Sequence, residues 1–260
     1  MGELSSYPDG AFCWVALGTT EMERAKSFYG GLFGWEFEEL SGYTTCRLDG
    51  KYVAGLHEHP EDEGAHWRSF ISVQHVESAA AAARKLGGTV AAEPTELTGA
   101  ARIHVIREPS GAEVCLWQQA GLPGATLVNE IGTWIWNELV TPSVASAQKF
   151  YGDMFGWTSM EVPGDTERVA FLLGDVLIGA AHTPAPGEDQ NPRWTVSFRV
   201  ADADKSVERV QELGGTVLRP PRDIAVARFS VVADPFGAMF TIARSEPFGT
   251  LDGSSVPLDE

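Results

Sequence analysis

Among the ionisable residues Glu138 has the most suggestive setting, at the end of the run Trp134-Ile135-Trp136-Asn137-Glu138. In an alternating strand Trp134, Trp136 and Glu138 share one face. A carboxylate between aromatic walls without a cationic partner has a raised pKa and can serve as a general acid or base. With such a partner it is a structural ion pair, and that is the preferred reading. The run His57-Glu58-His59, followed by Glu61, Asp62, Glu63 and His66, offers nitrogen and oxygen ligands in one short stretch. A hydrophilic loop without a fixed backbone rarely preorganises a metal site, so this segment reads as exposed and solvated. Cys13, Cys46 and Cys115 are too scattered for a disulfide framework or a CxxC-type zinc site, and read as buried reduced thiols.

The elements that carry these residues come in duplicate. Phe28-Tyr29-Gly30 and Phe33-Gly34-Trp35 recur as Phe150-Tyr151-Gly152 and Phe155-Gly156-Trp157, and the same offset pairs Trp14 with Trp136. Leu86-Gly87-Gly88-Thr89-Val90 returns as Leu213-Gly214-Gly215-Thr216-Val217, and Glu108-Pro109-Ser110-Gly111 as Asp234-Pro235-Phe236-Gly237. A repeat of this length means two halves of one design. They are expected over 1–120 and 130–246, joined by a linker at 121–129 where Gly121, Pro123 and Gly124 break the apolar pattern. The Gly, Ser and Pro rich tail, 247–260, is expected to be mobile or draped over the surface.

Each half reads as strand, helix and strands, twice over. In the first, Phe12 to Leu17 is a strand, and Thr20-x-x-Glu23 reads as a capping box opening a helix. Met22, Ala25, Phe28 or Tyr29, and Leu32 recur at helical spacing, which predicts ordinary amphipathic packing. Val144, Ala147, Phe150 or Tyr151, and Met154 repeat the stripe, with Pro142 placed in the first helical turn. A second strand and helix follow at 69–73 and 76–86, with a partner pair over 195–214. Strands at 102–107 and 113–117 flank the turn at Pro109, a design repeated at 228–243.

With 43% hydrophobic residues this is the composition of a folded globular protein of the 260-residue length observed. Nineteen Lys and Arg against 36 Asp and Glu give a net charge of -17, which repels phosphate backbones and anionic lipid. Neither nucleic acid nor membrane is expected as a partner. No apolar run approaches the ~18 residues of a membrane span, and the first ten residues lack a basic start and an apolar core, so the chain is expected in the cytoplasm.

Four strand-helix-strand-strand-strand units, with FYxxxFGW after the first helix of each half and (D/E)PxG before its last strand, resemble the vicinal oxygen chelate superfamily of glyoxalases, extradiol dioxygenases and bleomycin-resistance proteins. The likeness spans about residues 10 to 245, and is strongest to a two-domain bacterial glyoxalase-like subgroup. It implies an α+β fold of tandem domains, four βαβββ modules forming cupped mixed sheets with helices outside. It also implies that metal ligands come from the first, fifth and last strands of a domain. Those positions fall on Trp14, Arg68 and Cys115 in one half and on Trp136, Thr195 and Thr241 in the other. Neither set, nor an exchange of the first strand between them, makes a divalent site. No cofactor is therefore expected, and a metal enters only if the alignment slips by one residue to Cys13 or Asn137. His104, by the same analogy, lies on the strand face away from the cup.

Strict alternation fills the cups with Phe12, Trp14, Trp117, Trp134, Trp136 and Phe229. Glu113, Cys115, Glu138, Met239 and Thr241 share those faces, with Arg68 and Ser72 entering from the fifth strand. A Trp-lined concavity with a few polar groups suits a flat or hydrophobic small molecule. The expected function is metal-free binding of a small aromatic ligand, with a cationic one favoured by the acidic surface. The alternative is an enzyme, either a metal-free acid/base catalyst using Glu138 or a lyase, isomerase or dioxygenase with a divergent metal site. Two complete halves supply internally the pairing that single-domain relatives gain by dimerising, so a monomer is expected and a homodimer is the alternative.

Overall fold

The computed structural model describes residues 4–40, 43–58, 64–91, 93–97, 99–162, 165–185 and 189–246. The first module runs β1 (Phe12–Thr19), α1 (Met22–Phe33), β2 (Glu36–Leu40), β3 (Tyr43–Leu48) and β4 (Lys51–Glu58). The second runs β5 (His66–Ser72), α2 (Val76–Lys85), β6 (Thr89–Val90), β7 (Thr95–Leu97), β8 (Ala101–Arg107) and β9 (Glu113–Gln119). The third comprises β10 (Trp134–Val140), α3 (Val144–Phe155), β11 (Thr158–Val162), β12 (Asp165–Leu173) and β13 (Val176–His182). The fourth comprises β14 (Arg193–Arg199), α4 (Ala203–Glu212), β15 (Thr216–Ile224), β16 (Ala227–Ala233) and β17 (Met239–Ser245).

Each pair of modules makes one curled mixed sheet. The strand orders are β2-β3-β4-β1-β5-β9-β8-β6, with β7 on β8, and β11-β12-β13-β10-β14-β17-β16-β15. Inside a module the first strand runs parallel to the last, and the two modules meet where β1 lies antiparallel to β5 and β10 to β14. The predicted α+β fold of four βαβββ modules is therefore what forms.

Two helix starts differ from the sequence reading. Glu21, not Thr20, caps α1 and does so without a side-chain bond, while the Thr19 hydroxyl accepts the Glu21 amide at 3.1 Å. The helix starts later than the motif implied because β1 runs on through Thr19. In the third module Ser143 is the N-cap, its hydroxyl taking the Ser146 amide at 3.3 Å, so Pro142 precedes the helix.

The convex faces of the two sheets pack back to back through β5 and β14, and the helices interlock across the seam, α1 against α4 and α2 against α3. The repeated motifs are the seam's fittings rather than ordinary packing within a half. The Tyr29 hydroxyl of α1 donates to Asp234 Oδ2 in the other half at 3.0 Å and receives the Trp67 indole N–H at 3.1 Å. Its counterpart Tyr151 receives the Trp194 indole at 2.8 Å, close enough to Glu108 for that carboxylate to oppose ionisation of the phenol. Trp35 donates to the Gly132 carbonyl and Trp157 to that of Gly10, each at 2.8 Å. The glycine of each LGGTV run makes room for the phenylalanine of the opposite FYG. A Cβ on Gly88 would stand 3.1 Å from the Phe150 ring, and one on Gly215 3.1 Å from that of Phe28.

The linker is also built in. Ala125 N–H bonds Cys13 O at 2.8 Å and Thr126 N–H bonds Tyr52 O at 2.7 Å. Between them and the sheet stands Gly124 at φ +132°, where a Cβ would fall 2.3 Å from Cys13 O. Gly124→Ala is expected to cost about 3 kcal/mol through backbone strain and displacement of the linker, read as a lower urea midpoint at unchanged slope.

Candidate functional site

The two cups have the same frame and opposite contents. In the N-terminal cup Trp14 and Trp117 are wholly buried with ring centroids 5.7 Å apart, and Phe70 meets Trp117 edge-on. The Trp14 indole donates to Tyr43 Oη at 2.7 Å, and the Trp117 indole to the linker carbonyl of Leu122 at 3.1 Å. Tyr43 lies over Gly55, where a Cβ would be 1.8 Å from its hydroxyl. Burial pushes the Tyr43 phenol up, so it stays a neutral acceptor for the indole. The charged groups of this cup, Arg68 and Glu113, stand 3.9 Å apart, and Glu113 also pairs with Arg107 at 2.5 Å. This cup is plugged by its own side chains.

In the C-terminal cup the matching positions are Trp136, half-buried, and Glu138, one-fifth exposed. Register sets what surrounds them. Glu138 faces Ala180 on β13 and Thr195 on β14, while Arg168 on β12 pairs with His182 on β13. These side chains therefore rise from the same concave face, and Glu138 Oε1 lies 3.0 Å from Arg168 Nη1 and 2.9 Å from His182 Nδ1. Glu138 thus has a cationic partner, and the condition for an uncompensated carboxylate is not met. The contacts are close in distance but off the angle of a straight hydrogen bond. Phe229 is half-buried on the same face, with the Arg222 guanidinium 4.7 Å above its ring. Thr241 follows on β17 beside Ser197, and the Thr195 hydroxyl donates to the Glu138 carbonyl at 3.1 Å.

Two of the predicted cup residues are elsewhere. A bulge interrupts β1 between Phe12 and Trp14, and another interrupts β10 between Trp134 and Trp136. One extra residue reverses the alternation, so Phe12 points to the seam against Trp157 and Trp194 at 5.4 and 4.9 Å. Trp134 pairs with Phe198, whose ring packs on Trp35 and Trp67 across the seam. Arg68, Glu113, Thr195 and Met239 also line a cavity of about 230 Å³ between the starts of β5 and β14, where Arg193 joins them. Glu138, Arg168 and His182 do not line it. His104 is buried beside Leu116 on the face away from the cup. His57 stacks on Tyr43 at 6.3 Å, and His66 Nδ1 sits 3.1 Å from Gly64 O. His59, Glu61, Asp62 and Glu63 of the loop motif, and the 247–260 tail, lie outside the described residues.

Arg168 and His182 were missed by sequence reasoning, which followed only the first, fifth and last strands. The signal was present in the repeat: Val53-Ala54-Gly55-Leu56-His57 and Ile178-Gly179-Ala180-Ala181-His182 are equivalent strands, each ending in histidine.

A tandem pair of curled sheets, each built of two βαβββ modules, defines a two-domain glyoxalase-like protein of the vicinal oxygen chelate superfamily. The family described as "Glyoxalase-like domain" matches residues 14–117 and again 137–243, and this chain belongs to it. It is 36% identical to "Putative glyoxylase CFP32" of Mycobacterium tuberculosis over 95% of this chain and 99% of that protein. It is 30% identical to "Anthracycline biosynthesis protein DauV" of Streptomyces sp. over 93% and 95%. Among solved structures, the Mn(II)-bound glyoxalase from Novosphingobium aromaticivorans superposes with a TM-score of 0.65 at 18% identity, covering 94% of this chain and 85% of that one. The 2,3-dioxygenase LapB from Pseudomonas sp. superposes at 0.63 and 14%, covering 95% and 96%. These two show the fold.

A divalent ion at the positions implied by the resemblance needs electron-pair donors there. Trp14 and Trp136 offer no lone pair, Arg68 carries a positive charge, and burial pushes the Cys115 thiol up to about 12, which keeps it protonated. One residue along, Asn137 Oδ1 is taken by the Ser69 hydroxyl at 2.8 Å in the seam, and burial raises the Cys13 thiol as well. Among the described residues no three His, Cys, Asp or Glu side chains are grouped as a metal site requires. These donor sets do not fit a divalent ion. Nor is any helix among them long and apolar enough to cross a membrane.

Proposed function

We propose that this chain binds a small, flat aromatic molecule in its C-terminal cup, without a metal, as a cytoplasmic monomer. The observation that carries the reading is the asymmetry of the cups. The N-terminal one spends Trp14, Trp117 and Tyr43 on filling itself, while the equivalent C-terminal positions leave Trp136 half-buried above a charged cluster. A half-buried aromatic wall with few convergent polar groups is the usual make-up of a ligand pocket. Two relatives carry the name anthracycline biosynthesis protein, which supports a fused aromatic ring system as the ligand class. The net charge of -17 supports one bearing an amine, since it speeds the encounter with a cation.

The test is titration of the purified protein with an anthracycline that carries an amino sugar, followed by tryptophan quenching in the presence and absence of EDTA. Saturable binding unaffected by EDTA is expected, and Trp136→Ala should weaken it at least tenfold by removing about 1.5 kcal/mol of stacking. Binding that requires added metal, or that survives Trp136→Ala unchanged, overturns the assignment.

A further inference from the structure

We propose that the C-terminal cup is also a proton-transfer centre, in which His182 is the general base and Glu138 and Arg168 are positioning residues. This rests on the ligand site above and moves the chemistry from the carboxylate to the imidazole. Three neighbouring strands bring the groups together: Glu138 from β10, Arg168 from β12 and His182 from β13. The carboxylate beside Nδ1 at 2.9 Å favours a proton on that nitrogen, which leaves the lone pair on Nε2. Arg168 at 3.0 Å balances the Glu138 charge and holds the carboxylate in place. These contacts are close in distance but off the angle of a straight hydrogen bond, a geometry common for catalytic groups outside a Michaelis complex. The other cup supplies an internal comparison. Its histidine, His57, is retained, but Ala16 stands where Glu138 does and Tyr43 where Arg168 does, and the imidazole is stacked on that tyrosine. A histidine is kept in both halves; the groups that orient it as a base are present in one.

The chemistry is redox-neutral. Nε2 takes a proton from an activated C–H or O–H of a conjugated aromatic ligand, and the electron pair of the broken bond remains in the ligand's π-system. Return of the proton to a second atom completes an isomerisation. No metal enters the step.

The probe is 5-nitro-1,2-benzisoxazole, a flat aromatic with one acidic C–H. Proton removal breaks that C–H bond, its electron pair forms the nitrile, and the ring N–O bond opens to a coloured phenolate. The wild-type protein is expected to open it with saturation, His182→Gln to lose at least about 100-fold and Glu138→Ala about 10-fold, and His57→Gln to keep the full rate. Long-range proton-nitrogen NMR reads the orientation directly. Neutral His182 is expected in the Nδ1–H form, and in Glu138→Ala that preference is lost while the melting temperature holds. If the probe binds, by Trp136 quenching, but opens at a rate independent of His182, or if neutral His182 carries its proton on Nε2, the proton-transfer role falls and the ligand site stands. If neither this probe nor the anthracycline binds, both fall.

Discussion

Trp14→Ala is expected to destabilise the protein by about 4 kcal/mol, the middle of the range for deleting a buried tryptophan. The side chain is wholly buried, packs at a tilt on Trp117 with ring centroids 5.7 Å apart and gives its N–H to Tyr43 at 2.7 Å, so its loss leaves both a cavity and a buried phenol without its donor. The equivalent Trp136→Ala is expected to cost only about 1 to 2 kcal/mol, because a half-buried ring loses less on removal, and to weaken ligand binding at least tenfold instead. Chemical denaturation of the two variants measures the contrast. Equal losses of stability would show that both tryptophans are core, and the case for a working C-terminal cup would go with them.

The second large effect lies in the seam. Asp234 accepts the amides of Phe236 and Ala238, each at 2.9 Å, and the Tyr29 hydroxyl at 3.0 Å, while being almost fully buried. It both holds its own turn and ties the two halves together. Asp234→Ala strands the Ala238 amide and weakens the tie, for an expected loss of about 4 kcal/mol and a split of the single unfolding transition into two. Glu108 caps the matching turn through Ser110 and Ala112 at 2.9 and 3.2 Å, so Glu108→Ala should also destabilise by stranding those amides. Burial raises the Asp234 pKa above the ordinary carboxylate value, against the opposing effect of its hydrogen bonds. A carboxyl whose folded pKa is raised contributes stability that is present at low pH and lost as pH rises through the folded value. Asp234→Asn should therefore flatten the decline of stability across the window just above the usual aspartate pKa. A variant whose pH profile overlays that of the wild type would show that the carboxyl is ionised at no cost in the fold.

The motif pairs illustrate where sequence reasoning reached and where it stopped. FYG, FGW, LGGTV and (D/E)PxG disclosed a duplicated design, and the helical spacing of Phe28, Tyr29 and their copies disclosed an apolar stripe. What the stripe packs against was not legible. Tyr29 finds Asp234 more than two hundred positions away, and the glycine of one half's LGGTV receives the phenylalanine of the other's FYG. A periodicity reports that a face is buried and is silent about its partner. The capping box failed for a related reason, since a strand that continues by hydrogen bonding to its neighbours overrides a local helix-start signal.

The sequence by itself determined the tandem α+β architecture, the residue types at the positions where the family resemblance implies metal ligands, and the net charge of -17. These depend on identity and spacing along the chain. The tertiary structure decided which aromatic rings face a cup and which the seam, because a bulge in β1 and another in β10 each insert one residue with no compositional mark and reverse the alternation beyond it. It also decided that Glu138 stands between Arg168 and His182. Cross-strand neighbours follow from register between segments thirty to forty-odd residues apart, and register is fixed only when the whole sheet closes.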